Sequence, residues 1–195
     1  MNCIKKIQID DTIYTANTDF RVAIKCNEIA QDDSINDYER PLAIICTMFG
    51  EKGLDNPSHY EKIFHWILKY LSCGKEIKKT NDKPDMDYVQ DMEYIEASFM
   101  SDYRIDLTEI EMDWQKFNKL INGLSNSEFG NCCVLNRIRN LRNYDVSQIK
   151  DLKEREKIIK AKERFALKNK QKNIEVKLTD EQKKSVDDFY KALGF

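Results

Sequence analysis

A chain of 195 residues with 32 Lys and Arg against 34 Asp and Glu is charge-rich yet nearly neutral, and its size suits one globular domain or one domain with an appendage. Eighteen Phe and Tyr and two Trp exclude an intrinsically disordered chain, which could not offset its ordering entropy by burial. Six Gly and three Pro argue against a turn-dense sandwich or barrel and for helices, and the longest apolar run, Leu42 to Cys46, falls far short of the roughly 20 residues that span a bilayer.

The first element expected is a small hairpin. Ile4, Ile7 and Ile9 precede Asp10-Asp11, and Thr12-Ile13-Tyr14-Thr15 follows with β-branched and aromatic residues. From Asp19 or Phe20 the period becomes helical, with Val22, Cys26 and Ile29 recurring until Gln31-Asp32-Asp33-Ser34. Residues 38–49 predict a second helix with Pro41 in its first turn, closed by Gly50 and Gly53. Asn56-Pro57-Ser58 opens a third, in which Tyr60, Ile63, Phe64, Ile67, Leu68 and Leu71 form one stripe and Trp66, Tyr70 and Cys73 another. Residues 75–85, polar and rich in breakers, are the best candidate for a mobile loop.

Tyr88, Met92, Ile95 and Phe99 then repeat at helical spacing up to Tyr103. Thr108-x-x-Glu111 reads as a capping box leading into a helix with Ile110, Trp114, Phe117, Ile121 and Leu124 on one face. Gly123 and Ser125-Asn126-Ser127 close it and cap the next, which carries Phe129, Cys132, Cys133, Leu135 and Ile138, so that the two are expected as a helical hairpin. The composition then changes. Residues 137–177 hold 14 basic and 6 acidic residues, whereas 1–136 hold 15 basic and 24 acidic, an acidic body followed by a basic arm. One long exposed helix is expected from Ser147 to about Asn169, with Asp151/Arg155 and Glu156/Lys160 as i,i+4 pairs. Its apolar strips, Leu152/Ile159/Ala166 and Ile158/Ala161/Phe165, need cover from the body or a partner. A second capping box, Thr179-x-x-Gln182, starts a short terminal helix with Val186, Phe189, Tyr190 and Leu193 on one face.

The fold expected is therefore mainly α: a helical body at 1–145 with its N-terminal β-hairpin, then an arm at 146–195 made of a long charged helix and a short terminal one. No GxGxxG or GxxxxGK motif cradles a phosphate, and His59 and His65, six apart, do not share a helix face. The six cysteines form no CxxC pair and read as reduced, buried thiols. Glu93, Glu96, Asp102, Asp106, Glu109, Glu111 and Asp113 read as ordinary surface. No catalytic, metal or cofactor-binding residue is assigned, and the expectation is a non-enzymatic cytoplasmic protein. Trp114 and Phe117 are expected in the core. Partner contacts are expected at Lys153, Arg155, Lys160 and Lys162 of the arm, and the stripe Val186, Phe189, Tyr190 and Leu193 must dock either on the chain's own core or in a partner groove. The basic arm leaves open a nucleic-acid-binding regulator, although interleaved acids and few aromatics disfavour it.

Several blocks also carry a resemblance. Asn17 to Lys25 directly after a hairpin, Tyr94 to Phe99 with Asp102 to Leu107, Trp114 to Phe117 with Leu120 to Ser125, and Val146 to Asp151 resemble, in order and spacing, the bacteriophage gene product fifteen family of siphophages and prophages over residues 4–165. Phe20, Tyr94, Phe99, Tyr103, Trp114, Phe117 and Gly123 are the positions of that motif core. Departures are Gln115 after Trp114 where relatives carry a second Trp, Arg104 where they carry Gly, and Asn136-Arg137-Ile138 near a Gly-Tyr-Arg element. The resemblance implies a phage morphogenesis protein acting in the bacterial host cytoplasm, in the position of a tail assembly chaperone. Such a protein keeps the tape measure protein soluble and brings tail tube subunits to it, with homo-oligomerisation possible and no membrane involved. A structural tail or connector component of the virion is the alternative that this resemblance leaves open.

Overall fold

The computed structural model of the chain describes residues 3–75, 83–126 and 132–168. It is mainly helical, with seven α-helices among those residues and one two-stranded antiparallel sheet. The described residues fall into two compact units, 3–75 with 111–117 and 83–110 with 118–126 and 132–168.

In the first unit, β1 (Ile4–Ile9) and β2 (Thr12–Asn17) form the expected hairpin, with Ile9 opposite Thr12 and Ile4 opposite Asn17. Asp10 takes a left-handed conformation at the two-residue turn, one that Asp tolerates better than most residues. Alternation buries Tyr14 and Ala16 and leaves Ile4 and Ile13 half exposed. The Tyr14 hydroxyl lies 2.8 Å from His59 Nδ1, a buried contact that fastens the hairpin to the residues preceding the third helix. Helix α1 (Phe20–Ala30) is capped by Asp19, whose carboxylate accepts the Arg21 N–H. Helix α2 (Glu39–Phe49) carries Pro41 in its first turn and ends at Gly50 with φ 67°. Only glycine fits at 53, where a Cβ would stand 2.8 Å from Phe49 Cβ and 2.9 Å from Ile45 Cγ2. Helix α3 (Tyr60–Leu71) follows a 3-10 turn at Pro57–His59 capped by Asn56. Its Ile63, Phe64, Ile67 and Tyr70 are buried, while Leu68 and Leu71 of the expected stripe are half-buried.

The chain returns to this unit through residues 111–117. Phe20 N–H donates to Met112 O (2.8 Å), Trp114 N–H to Thr18 O (2.9 Å), and Met112 N–H to Asp19 Oδ2 (3.1 Å). This extended bridge displaces the expected capping box: Thr108 lies in a turn closed by the Asp106 carboxylate, and α5 (Trp114–Asn122) starts at Trp114. The Asp113 carboxylate, nearer than Thr108, accepts the Gln115 N–H instead. Phe117 stacks on Phe20 with ring centres 4.4 Å apart.

In the second unit, α4 (Met92–Tyr103) begins after Tyr88, which sits in the preceding turn. It ends at Arg104, left-handed with φ 58°, while Ile105 N–H reaches back to Phe99 O. Helix α6 (Val134–Asn143) starts later than expected, with Cys133 as its cap. It packs on α4, with Leu135 N–H donating to Ser98 Oγ (3.0 Å), in place of the expected hairpin with α5. The continuous helix expected over 147–169 is a 3-10 turn at Val146–Gln148 followed by α7 (Leu152–Arg164). Asp151 is therefore a cap, accepting Glu154 N–H, and not the partner of Arg155. Residues 76–82 of the expected loop, Phe129 and the terminal helix lie outside the described residues.

All six cysteines are free thiols, Cys3, Cys26 and Cys133 buried but Cys46, Cys73 and Cys132 only half-buried. Burial pushes the Cys26 thiol up to about 12. Among the described residues no helix is long and apolar enough to cross a membrane.

Two outcomes are expected. Arg104→Gly should stabilise the chain by about 1 kcal/mol, because a left-handed L residue costs about 1–2 kcal/mol, as urea denaturation would measure. At Asp113, burial acts to raise the carboxyl, but the Tyr70 hydroxyl at 2.7 Å and the Lys5 charge outweigh it and hold the group below the usual range. A depressed folded pKa contributes stability above the unfolded value that is lost as pH falls through the folded one. Asp113→Asn should flatten the fall in urea midpoint below about pH 4.

Candidate partner-binding surface

The arm residues expected to meet partners sit on α7, and the position of α7 within the second unit is set by a buried ion pair. Asp91, 1% exposed, stands at the start of α4 and receives both terminal nitrogens of Arg142 from α6 at 2.7 Å. Two further Arg142 N–H groups go to the Phe165 and Asp85 carbonyls, at 2.7 and 2.8 Å. One guanidinium thus holds the turn before α4, α6 and the C-terminal end of α7 together, a planar five-donor fork that Lys could not replace. Its hydrogen bonds to Asp91 push Arg142 above the usual arginine range despite burial.

Further contacts repeat this attachment. Asp85 accepts from Arg139 Nε at 3.1 Å and from Asn143 at 3.2 Å. The Gln90 amide brackets the Lys168 main chain, donating to its carbonyl (3.2 Å) and accepting its N–H (2.8 Å). Phe165 meets Tyr94 edge to face at 6.3 Å. Lys162 Nζ donates to Tyr144 O at 2.5 Å. The basic helix is therefore docked along its C-terminal half.

This attachment sorts the side chains of α7. Ile158, Ala161 and Phe165 are half-buried, whereas Leu152 is 78% and Ile159 37% exposed, one heptad apart on the other side. Of the four expected cations, Lys162 is held by Tyr144 and Lys160 by Glu156 (2.8 Å), while the Lys153 and Arg155 side chains are exposed with no ion pair among the described residues. The structure brings Leu152, Ile159, Lys153 and Arg155 together on one short helix. Val186, Phe189, Tyr190 and Leu193 lie outside the described residues.

The motif-core positions have structural work. Phe20, Phe99, Trp114 and Phe117 are each at most 3% exposed, and Trp114 Nε1 donates to Leu71 O (2.9 Å). The Tyr103 hydroxyl donates to Leu120 O (2.9 Å), and a Cβ at Gly123 would meet that same hydroxyl at 2.9 Å. Asp102, Asp106 and Asp113, expected as plain surface, each accept a main-chain N–H: Asp102 that of Ser125 at 2.8 Å, Asp106 that of Thr108 and Asp113 that of Gln115. Sequence patterns missed the Asp91–Arg142 pair altogether, since neither residue belongs to a recognisable spacing. Among the described residues no group of three or more His, Cys, Asp or Glu is placed to hold a metal ion.

The model of one family, described as Bacteriophage Gp15 protein, matches residues 2–167. The chain belongs to the Bacteriophage Gp15 protein family. The match runs through both units and all of α7, so the ion pair and the exposed heptad lie inside the Gp15 region and the stripe Val186 to Leu193 lies beyond it. Comparison with curated proteins and with solved structures gives no match.

Arg142→Ala leaves Asp91 buried without its partner, and is expected to cost about 3–5 kcal/mol. Hydrogen exchange should report the loss first at the amides of α7, ahead of those in α1 to α3.

Proposed function

We propose that this phage protein is a non-enzymatic tail assembly chaperone that binds the tape measure and tail tube proteins in the host cytoplasm during virion morphogenesis. Family membership supports the phage setting. The observation that carries the finer reading is the outer side of α7, a docked helix that still exposes Leu152 and Ile159 beside Lys153 and Arg155. An apolar heptad flanked by cations suits an amphipathic helix with acidic edges, because burying the apolar strip supplies affinity and the charges set orientation. A tape measure protein, long and helical, offers such segments. Holding α7 rigid before binding lowers the entropy cost of association.

Co-expression with the tape measure protein of the same phage or prophage, followed by pull-down and sizing, tests this. A soluble complex is expected. The double substitution Leu152→Asp and Ile159→Asp should cut recovery at least tenfold, with unfolding shifted by no more than about 0.5 kcal/mol, as at exposed positions generally. A tape measure protein that stays insoluble and unbound overturns the reading. In that case detection of the chain in purified virions would identify a structural tail component, and DNA affinity falling steeply with salt would identify a nucleic-acid binder.

A further inference from the structure

Among the described residues the hairpin carries a row of unused hydrogen-bonding groups. Thr18 N–H donates to Cys3 O (2.7 Å), which makes Cys3 and Thr18 a hydrogen-bonded pair. With the observed register, Lys5–Ala16, Ile7–Tyr14 and Ile9–Thr12 are the further pairs of that kind. The N–H and C=O groups of Ile4, Lys6 and Gln8 therefore point away from β2, and among the described residues they meet no other backbone group. All three residues are exposed.

Next to this edge lies a groove of about 440 Å³ between β1 and α3. The helix contributes Lys62, His65, Trp66 and Lys69, which spacing places on one side. Trp66 is held by stacking on Tyr70 (ring centres 5.2 Å apart) and by an edge contact with Phe49. Its indole N–H makes no hydrogen bond among the described residues, so the ring is fixed with a donor to spare. Lys62 is engaged by Asp10 at 3.0 Å, while Lys69 is exposed without an ion pair among the described residues. With Lys62 and Lys69 against the Asp10 carboxylate that also lines it, the groove is net positive, and one side of it is a strand edge unpaired among the described residues.

We propose that β1 accepts an extended acidic segment of a partner protein as a third strand, its main chain pairing with Ile4, Lys6 and Gln8 and its alternate carboxylates facing Lys69, Lys62 and the Trp66 indole. Only an extended occupant satisfies the edge, since a helix has already paired its own backbone groups. A second copy of this chain is disfavoured, because antiparallel self-pairing about Lys6 sets that lysine against itself, and edge lysines oppose such pairing. An acidic strand with its carboxylates on the α3 side of β1 meets Lys69 and Lys62 there and sets no lysine against Lys6 on the opposite face. The surface belongs to the first unit, and the inference does not rest on the chaperone proposal.

The test is fluorescence anisotropy of a labelled peptide of alternating Glu and Val titrated with the full chain at low salt. Saturable binding is expected, absent for the Lys and Val counterpart and for the same peptide N-methylated at every second residue. Lys69→Glu, at an exposed position, should weaken binding at least tenfold with an unchanged circular dichroism melt. Gln8→Pro, which removes an outward N–H at a site where an edge strand tolerates proline, should do the same. No binding of the Glu and Val peptide, or equal binding by the N-methylated peptide or by Lys69→Glu, overturns the proposal. A dimer in sedimentation that Gln8→Pro disperses overturns it as well, in favour of a second copy at the edge.

Discussion

The carboxylate of Asp19 performs two tasks on which the first unit depends. One oxygen caps α1 by accepting the Arg21 N–H, and the other accepts the N–H of Met112, 93 positions along the chain. Closing so long a loop costs about 4 kcal/mol in chain entropy beyond a constant. Burial of Met112 and Phe117, at about 1.5–3 kcal/mol each, offsets it once the bridge has delivered them. The buried Asp19 is affordable because both oxygens are occupied by N–H donors and Arg21 stands 3.2 Å away. Without that bridge, Trp114 would not reach the Leu71 carbonyl, nor would Phe117 stack on Phe20.

The second unit rests on a comparable economy of donors. Arg142 satisfies a buried carboxylate and two main-chain carbonyls at once, one of them at the C-terminal end of α7, where a cation also answers the helix dipole. Such a pair adds less net stability than its geometry suggests, because both ions are taken out of water. Its value lies in specificity of attachment. A helix with mean composition as polar as that of α7 has little apolar surface to hold it by, and directional hydrogen bonds fix which side it turns outwards. That orientation is what leaves Leu152 and Ile159 in solvent.

Local signals were legible wherever they acted within a few residues. The hairpin, α1, α2 and α3 follow from alternation, helical period, Asp19 as cap and Gly50 as stop, and the observed boundaries lie within a few residues of those expected. The Thr108 box failed because an N-cap signal competes with whatever else claims the same backbone. Here the main chain of Met112 and the Trp114 N–H were claimed by Thr18, Asp19 and Phe20, and the helix could begin only at Trp114. The arm failed differently: helix-favouring composition without Gly or Pro permits a long helix, yet the Asp145 and Asp151 side chains each cap a fresh start and divide the stretch into a 3-10 turn and α7. Family membership was readable from blocks such as Trp114 to Phe117, of which Trp114 and Phe117 prove to be packed core.

The sequence by itself determined the helical class, the hairpin and its two-residue turn, the free state of six scattered thiols as an expectation, and the acidic and basic halves, because each depends on composition or on neighbours within one or two turns. Only the tertiary structure decided that Asp102 holds the Ser125 N–H and Asp19 that of Met112, that Asp91 and Arg142 meet, that α6 lies on α4, and which side of α7 and which edge of β1 remain open among the described residues. Those outcomes depend on pairings across 23 to 93 positions, where a side chain's partner is chosen by competition in space among many chemically equivalent donors and acceptors, and no local pattern records the winner.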